Sequence, residues 1–356
     1  MSLSPTATVP AHGAPLFEAD FKSIPADFQV SENLPFEFSG EGEHLYLKIE
    51  KTERNTADVV KGLRRCFNLA KKDIGVAGLK DRHAVTSQWF SVHTPLDETR
   101  LTRWLESDDA PPYRLLESVR HTKKLRSGAH DSNTFVITLK NVALLSNDKS
   151  LVDARIKTLV RTGFPNYYGP QRFGRNGSNL SAAVHWLTHQ QRIPSLARDK
   201  RSLYLSAVRS DAFNRILSAR VERGNWNQLR RGELCVLNGS NSVFSVTDAE
   251  RDATEERLKT FDVHPSAPLI GKGDSLSLYD ARTDDEAVLS ANSKHEALVV
   301  ALSNLRVEAS HRSTRALCLD LKHRWIDDTT LELSVTLAPG VFATTLLAEL
   351  FTERSV

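Results

Sequence analysis

Gly78-Leu79-Lys80-Asp81-Arg82-His83-Ala84-Val85-Thr86-Ser87-Gln88-Trp89-Phe90-Ser91-Val92 is the stretch around which the chain is organised. An apolar run that starts at Ile74 precedes the charged residues Lys80, Asp81 and Arg82, and a segment rich in β-forming residues follows them. This pattern predicts a strand, a tight loop and a second strand. Asp81 then lies in the loop with a cation on either side, and neighbouring positive charge keeps a carboxylate ionised.

The loop position of Asp81 is compatible with two roles. An aspartate beside glycine in a loop most often hydrogen-bonds its own backbone as a turn residue. A carboxylate that is kept ionised can also act as a nucleophile. The residues of this stretch alone leave both roles open.

The composition is that of an ordinary globular protein. The 356 residues are 40% hydrophobic and 26% charged, and a chain of this length is expected to form two domains. The net charge of +3 argues only weakly for an acidic partner. Two basic stretches, residues 118–130 and 154–198, nevertheless contain no acidic residue, which is compatible with a phosphate-binding surface or with a solvated basic face.

Cysteine and histidine usage predicts neither disulfides nor a metal site. Cys66, Cys235 and Cys318 are few and far apart, and the histidines show no metal-ligand spacing. Residues 1–15 lack the basic and apolar regions of a signal peptide, and no run of eighteen apolar residues predicts a membrane span. We therefore expect a cytoplasmic protein with no membrane partner and no metal.

Hydrophobic periodicity and turn residues predict mixed helices and strands. The predicted helices are 55–70, 101–105, 151–161, 178–187, 205–221, 249–258 and 341–351; the predicted strands include 45–49, 134–139 and 331–337; residues 264–268, with two prolines, predict a turn. From about residue 190, the pattern changes to a long predicted helix followed by short strands. We predict a flexible N-terminal tail at 1–15, one domain formed by 16–189 with 306–356, and an inserted domain at 190–305.

A second unusual stretch is Gly163-Phe164-Pro165-Asn166-Tyr167-Tyr168-Gly169-Pro170-Gln171-Arg172-Phe173-Gly174. Its four aromatic residues alternate with amide, guanidinium and turn-forming residues. Such side chains can stack on an exposed base and bind its edge. A rigid aromatic loop that only packs between elements is equally compatible with the pattern.

A third stretch, Pro339-Gly340-Val341-Phe342-Ala343-Thr344, completes a set. Together with residues 78–88 and 165–174, it resembles motifs of the TruD family of tRNA pseudouridine synthases. Shorter motifs in the same order agree with this resemblance: Lys22-x-x-Pro25-x-Asp27-Phe28, Lys124 to Gly128 with Asn133 to Phe135, Gly239 to Phe244, and His264 to Gly271. The departures are mild: Ser266-Ala267 stands where Thr-Gly is usual, and Val341 where a smaller residue is common.

The resemblance implies an α+β fold. The catalytic domain of the family has a mainly antiparallel mixed sheet flanked by helices, and a smaller α+β domain is inserted into it. The implied reaction detaches the uracil of a tRNA uridine, turns it and rejoins it through carbon 5, typically at uridine 13 of a glutamate-accepting tRNA. The resemblance implies no cofactor, and we expect a monomer.

The motif match also assigns roles to residues. Asp81 corresponds to the catalytic aspartate of the family, which we interpret as a nucleophile, although a carboxylate can instead remove a neighbouring proton. Phe28, Asn166 and Phe342 fall at positions that contact the substrate base. Asn166 can hydrogen-bond the uracil edge or orient Asp81.

Four residues are predicted to support this site. Lys22 is assigned to pairing with the Asp81 carboxylate, and Lys80 to keeping Asp81 ionised and meeting phosphate. Tyr168 stands where the best-matching motif carries phenylalanine, so its ring can stack while its hydroxyl has no assigned role. Arg172 supplies the guanidinium group of the aromatic loop.

Two other functions compete with an isomerase. The basic stretches and the aromatic loop are also compatible with a non-catalytic RNA-binding or RNA-chaperone protein. A glycosidase or nucleosidase would need a second carboxylate paired with Asp81, and neither flanking motif offers one.

Overall fold

The structure, a computed structural model, describes residues 4–93, 99, 101–102, 113–188, 197–240, 242–273, 277–291, 293–304 and 307–354. The chain divides into two compact units. The first, which we call the sheet unit, comprises Leu16–Ile156, Cys318–Gly340 and Phe351–Val356; the second, the helical unit, comprises Met1–Pro15, Lys157–Leu317 and Val341–Leu350. This division falls at 156/157 and 317/318. The boundaries at 189/190 and 305/306 between a catalytic and an inserted domain stay a prediction.

Strands predominate in the sheet unit and helices in the helical unit. The strands are β1 (Phe17–Asp20), β2 (Phe28–Asn33), β3 (His44–Thr52), β4 (Ile74–Val76), β5 (Val85–His93), β6 (Tyr113–His121), β7 (Ser132–Leu144), β8 (Phe164–Pro165), β9 (Leu234–Leu237), β10 (Val243–Ser245), β11 (Val263–Leu269), β12 (Ser310–Ser313), β13 (Arg315–Ala316), β14 (Leu319–Trp325), β15 (Leu331–Leu337) and β16 (Phe351–Glu353). The helices are α1 (Thr56–Phe67), α2 (Ser150–Thr162), α3 (Ser178–Thr188), α4 (Arg198–Glu222), α5 (Arg251–Lys259), α6 (Tyr279–Ser290), α7 (Ser293–Asn304) and α8 (Ala343–Leu347).

The sheet unit is built on a mixed, mainly antiparallel sheet. Its strands follow the order β14-β15-β7-β2-β5-β3-β6, with β1 beside β7 and β16, and β4 beside β5. Two pairs, β1 with β16 and β2 with β5, are parallel. This sheet and the helices confirm the α+β fold class.

The predicted strand, loop and strand around Asp81 is confirmed by β4 and β5, which pair antiparallel. Helix α1 begins where it is predicted, since the Asn55 N–H donates to the Asp58 carboxylate (3.0 Å) in the first turn. It ends at Asn68, whose φ of 52° is left-handed, rather than at residue 70. Its apolar face packs against β3 and β5, which places a core beneath the strands that carry the loop.

The helical unit combines helices α3 to α8 with two small sheets. The larger sheet has the order β10-β9-β11-β12, and β13 pairs with β8. Its main core lies among α3, α4, α7 and the aromatic loop. Helix α2, predicted over 151–161, is followed by Gly163, whose left-handed φ of 73° ends the helix. The predicted helix at 101–105 lies largely outside the described residues.

The prediction of a terminal helix over 341–351 is wrong in its extent. Helix α8 has five residues, and Phe351 starts strand β16. The reason is a tertiary contact. Phe351 is the register partner of Phe17 in the parallel pair β1–β16, and the two rings stack with centroids 5.7 Å apart.

The prediction of a turn at 264–268 is also wrong, because these residues form strand β11. The strand changes partner along its length: Val263 to Pro265 pair with β9, and Ser266 to Leu269 pair with β12. Proline has no N–H to donate to a neighbouring strand. Because β11 changes partner between Pro265 and Ser266, each of its two prolines lies in a short pairing of three or four residues. Pro265 still accepts hydrogen bonds through its carbonyl from Thr314 N–H (2.9 Å) and Oγ1 (3.0 Å).

The N-terminal segment is bound to the helical unit, although residues 1–15 are predicted to be a flexible tail. The Thr6 N–H donates to Asp211 Oδ1 (2.7 Å), and the Ala11 N–H donates to Glu349 Oε1 (2.9 Å). Ser218 Oγ donates to the Ala7 carbonyl (3.1 Å). A sequence without periodicity gives no sign of such contacts, because they are made by its backbone.

Candidate active site

In the sheet unit, the loop between β4 and β5 presents Asp81 to solvent. The Asp81 side chain is 48% exposed, and its Oδ2 lies 3.4 Å from Lys22 Nζ. The pairing predicted for Lys22 is therefore present. The carboxylate keeps room for a reacting group.

The backbone of this loop is held by polar side chains beneath it. Gln88, buried in β5, donates from Nε2 to the Gly78 carbonyl (2.6 Å). Thr56, at the start of α1, donates from Oγ1 to Gln88 Oε1 (2.9 Å) and accepts from the Lys80 N–H (3.1 Å). A buried polar group without such a partner is costly, so this chain of bonds specifies one loop conformation.

Lys51 adds a buried cation directly under Asp81. Its side chain comes from β3, is 1% exposed, and donates from Nζ to the carbonyls of Asp81 (2.9 Å) and Arg54 (2.7 Å). Burial lowers the pKa of Lys51 to about 8, against the opposing influence of the Asp81 charge. Lys51 was missed from the sequence; the alternation of Leu45, Leu47 and Ile49 continues to Lys51 and places it on the same inward face, which was the available signal.

Lys80 does not have the partner that the sequence predicts. Its ammonium lies 2.7 Å from Glu32 Oε1, and its side chain is only 7% exposed. Glu32 is fully buried in β2, where its other oxygen accepts the Trp89 N–H (3.1 Å). A buried carboxylate needs a charged partner, and this requirement draws Lys80 inward, away from a role at phosphate. Arg82 is exposed.

Lys22 and Phe28 form a compact pair beside Asp81. Lys22 adopts a left-handed φ of 55°, and its ammonium lies 3.6 Å from the centroid of the Phe28 ring. A left-handed lysine is strained, and such strain is often found at functional sites. The Phe28 ring is 2% exposed and packs against Phe21 and Phe135, so its predicted contact with a base stays a prediction.

In the helical unit, Asn166 is held by its own side chain. Its Oδ1 accepts from Arg312 Nη2 (2.6 Å), and its Nδ2 donates to the Ser313 carbonyl (3.0 Å). Arg312 Nε also donates to the Asn166 carbonyl (3.2 Å). Because Arg312 can only donate, this contact determines which end of the amide is oxygen. Arg312 was missed from the sequence, because it carries no motif of its own.

Tyr168 is positioned by a pair of hydrogen bonds to its backbone. Asn214 of α4 accepts the Tyr168 N–H and donates to its carbonyl, both at 2.9 Å. The Arg312 guanidinium lies 4.2 Å from the Tyr168 ring centroid, and burial lowers the pKa of Arg312. The role of the Tyr168 hydroxyl stays unassigned.

Phe342 lies beside the aromatic loop. Its ring centroid is 6.0 Å from that of Tyr168 and 5.9 Å from the Arg172 guanidinium. Gly169 permits this approach, since a Cβ there would lie 3.1 Å from Phe342 Cδ1 and 2.7 Å from Thr344 Oγ1. The stretches 163–174 and 339–344, which are far apart in sequence, thus come into contact within the helical unit.

The structure therefore gathers the predicted residues into two groups. Asp81, Lys22 and Phe28 lie together in the sheet unit, where Lys80 turns away to Glu32; Asn166, Tyr168, Arg172 and Phe342 lie together in the helical unit. Across the described residues, no three His, Cys, Asp or Glu side chains are grouped so that they could hold a metal ion. No helix in the described part of the chain is long and apolar enough to cross a membrane.

Comparison with known proteins places the chain in a family. Residues 11–192 and 185–350 match the family model described as tRNA pseudouridine synthase D (TruD). The chain is 42% identical over 349 residues to the tRNA pseudouridine synthase D of Xanthomonas campestris pv. campestris (strain 8004), which covers 96% of this chain and 93% of that protein. It is 38% identical over 342 residues to the protein of the same name from Proteus mirabilis (strain HI4320), covering 95% of this chain and 93% of that protein.

A solved structure agrees on the fold. The tRNA pseudouridine synthase D (TruD) from Methanosarcina mazei superposes with a TM-score of 0.74 over 96% of this chain and 95% of that chain, at 19% identity. At this identity the likeness supports the fold alone. The family model and the relatives decide membership: the chain belongs to the TruD family of tRNA pseudouridine synthases.

Proposed function

We propose that this protein converts uridine 13 of a glutamate-accepting tRNA to pseudouridine, with the Asp81 carboxylate as nucleophile. The observation that carries the proposal is the state of Asp81: its backbone is held from below, and its carboxylate remains half-exposed beside Lys22. A nucleophile needs this combination of a fixed position and an accessible reacting atom. Membership of the family supplies the reaction class.

The proposed reaction balances without a cofactor. An Asp81 oxygen bonds to carbon 1′ of the ribose while the bond from that carbon to uracil N1 breaks, and uracil keeps the electron pair. The detached uracil turns, its carbon 5 bonds to carbon 1′, and the carboxylate leaves. The hydrogen on carbon 5 departs as a proton to solvent, and uracil N1, which kept the electron pair, takes up a proton from solvent, so substrate and product are isomers. If Asp81 instead removes a proton from the sugar, the products and the released proton are the same.

The target base must leave its stack before a carboxylate can reach the sugar. Asn166, Tyr168 and Phe342 are the residues that we assign to the extruded uracil, because they offer an oriented amide and two rings. Phe28 is assigned to the base or its ribose, and Lys22 to pairing with the Asp81 carboxylate. The proposed enzyme acts in the cytoplasm, as a monomer.

Tritium release tests the activity. With tRNA carrying tritium at uracil carbon 5, the intact protein should release one tritium per modified uridine, in the presence of EDTA as well. Asp81→Asn should lower the single-turnover rate by about 10³-fold or more. Asp320→Asn, an exposed aspartate of the sheet unit with a left-handed φ of 52°, is the matched control and should match wild type.

The outcome separates the competing functions. Tritium release by Asp81→Asn at the wild-type rate would remove Asp81 from the chemistry. Binding of tRNA without any release by the wild type would instead indicate a non-catalytic RNA-binding protein. Free uracil as the product would indicate a nucleosidase.

The identity of the target is tested separately. A transcript of glutamate tRNA with uridine 13 replaced by cytidine should release no tritium, whereas the unaltered transcript should. Equal release from both transcripts would show that another uridine is modified.

A further inference from the structure

A cavity of about 320 Å³ lies in the helical unit along one face of helix α4. Ser202, Ser206 and Ser210 follow one another at intervals of four residues, so their hydroxyl groups share that face. Leu205, Arg209 and the Tyr168 ring also line the cavity. The volume is at the lower end of the range for small-ligand sites.

Arg209 brings a guanidinium group to this cavity, and no carboxylate of the described residues forms an ion pair with it. Its Nη2 donates to the carbonyls of Leu269 (3.2 Å) and Glu308 (3.0 Å) and to Ser310 Oγ (2.9 Å). Its Nε is buried without a hydrogen-bond partner. Burial lowers the pKa of Arg209. The groups that accept its hydrogen bonds are two backbone carbonyls and one hydroxyl.

Arg172 provides a second guanidinium group whose Nε, like that of Arg209, is buried and has no hydrogen-bond partner among the described residues. Its Nη1 donates to Ser206 Oγ (3.2 Å) on the cavity wall. In the part of the chain that the structure describes, neither Arg172 nor Arg209 lies within ion-pair distance of a carboxylate. Arg209 lines the cavity and Arg172 contacts one of its serines, so two cations contribute a positive potential there that favours an anion.

The lining also indicates what kind of anion fits. Guanidinium and hydroxyl donors together match the oxygens of a phosphate, and the cavity has no carboxylate that would select a metal cation. Tyr168 and Leu205 offer an aromatic and an apolar surface, on which a base or a ribose can pack. A phosphate joined to a sugar and a base is a nucleotide.

We propose that this cavity binds one nucleotide of the RNA chain next to the target uridine, with its phosphodiester at Arg209 and at Ser206, the serine that Arg172 contacts. The inference rests on the proposed function, since it takes the RNA substrate from there. The Tyr168 ring would then border the bound nucleotide, while the Tyr168 backbone remains hydrogen-bonded to Asn214.

Filling the cavity tests the proposal. Ser202 is exposed at the cavity, so Ser202→Trp should occupy it without disturbing the core. We expect the Kd for an unmodified glutamate tRNA transcript to rise at least about tenfold, because one phosphate contact and one stacked base are lost. Leu203→Trp is the matched control on the same helix; Leu203 is 40% exposed, does not line the cavity, and its substitution should leave the Kd unchanged.

The salt dependence of binding gives a second readout. Arg209→Gln should make the slope of log K against log salt shallower by about 1, because one fewer phosphate is neutralised. Far-ultraviolet circular dichroism must show that this variant is folded, since Arg209 also supports three neighbouring groups. If Ser202→Trp binds tRNA as tightly as Leu203→Trp, the proposal is wrong, whatever Arg209→Gln does.

Failure of this inference is distinguishable from failure of the proposed function. A wild-type protein that releases tritium, together with a Ser202→Trp variant of unchanged Kd, removes only the nucleotide site. A wild-type protein that releases no tritium removes the proposed function. In that case a raised Kd for Ser202→Trp would still show that the cavity binds RNA.

Discussion

The loop that carries Asp81 and the loop that carries Asn166 are held in opposite ways. Around Asp81, the buried side chains of Gln88, Thr56 and Lys51 bind the backbone, and the carboxylate itself is left half-exposed. Around Asn166, the side chain is the bound part: Arg312 and Ser313 occupy both ends of an amide that is only 6% exposed.

This difference matches the two tasks that we propose. A nucleophile must form and break a bond, so its reacting atom has to be accessible while its position is held from behind. A group that distinguishes one base edge from another must present a donor and an acceptor in known places, so the amide itself has to be oriented. Because the two arrangements share no residue, single substitutions can disturb each of them separately.

Among the substitutions that hold Asp81 itself unchanged, Arg312→Met should have the largest effect, because it releases the amide of Asn166 and leaves its Oδ1 without its charged donor. We expect kcat/KM for tRNA to fall by about 10²-fold, with partial recovery in Arg312→Lys. Steady-state tritium release measures this. Arg324→Met, which removes a surface ion pair with Glu332 in the sheet unit, is the control, and equal kcat/KM in the two methionine variants would contradict the role of Arg312.

Gln88→Leu should disturb the other loop. It leaves the Gly78 carbonyl without its donor and the Thr56 hydroxyl without its acceptor, so the free energy of unfolding should fall by about 2 to 3 kcal/mol. Urea unfolding measures this, and tritium release should fall as the loop loosens. Gln29→Leu loses only an exposed bond to the Ala26 carbonyl and should change stability by less than about 0.5 kcal/mol. A Gln88→Leu variant as stable as Gln29→Leu would refute the anchoring of the loop.

Lowering the pH should destabilise the helical unit before the sheet unit. Burial lowers the pKa of His264 and of His311 to about 4. The folded protein therefore binds fewer protons than the unfolded chain between about pH 6.5 and 4, and stability falls as the pH falls through this window, on the order of 2 kcal/mol for each imidazole. Hydrogen exchange followed by mass spectrometry at pH 7 and pH 5, corrected for the change of the intrinsic exchange rate with pH, should show lower protection factors around β11 and β12 at pH 5. Earlier loss of protection in β3 and β5 would contradict this.

Lys51 should give the smallest effect, with the same sign of pH dependence as the two histidines but in a more alkaline window. Its folded pKa of about 8 lies below the ordinary value of 10.5, so the folded protein binds fewer protons between these values. Stability should therefore rise through this window as the pH rises, by about 1 kcal/mol relative to Lys51→Met. Urea unfolding at pH 7 and pH 10 measures the difference. Lys48→Met, on the same strand, should keep the wild-type trend, and its loss there would show that Lys51 is not the source.

The sequence pattern predicted helices and strands correctly where their formation depends on residues that are close together in the chain. The strand, loop and strand around Asp81, the helices α1 and α2, and the alternating strand β15 all depend on periodicity and capping residues that are adjacent in the chain. The turn predicted at 264–268 failed because β11 receives its partners from β9 and β12, which are distant in sequence. The long terminal helix failed because Phe351 stacks on Phe17.

The sequence by itself determined the family, the residues of its motifs and Asp81 as the residue to test, because motif identity depends only on residue types in order. The tertiary structure alone decided which partner each charged or polar side chain takes. Lys80 turns to a buried Glu32, Lys51 lies beneath Asp81, and Arg312 orients Asn166. These pairings follow from the cost of leaving a buried charge or amide unsatisfied, and that cost exists only once strands and helices from distant parts of the chain have excluded water.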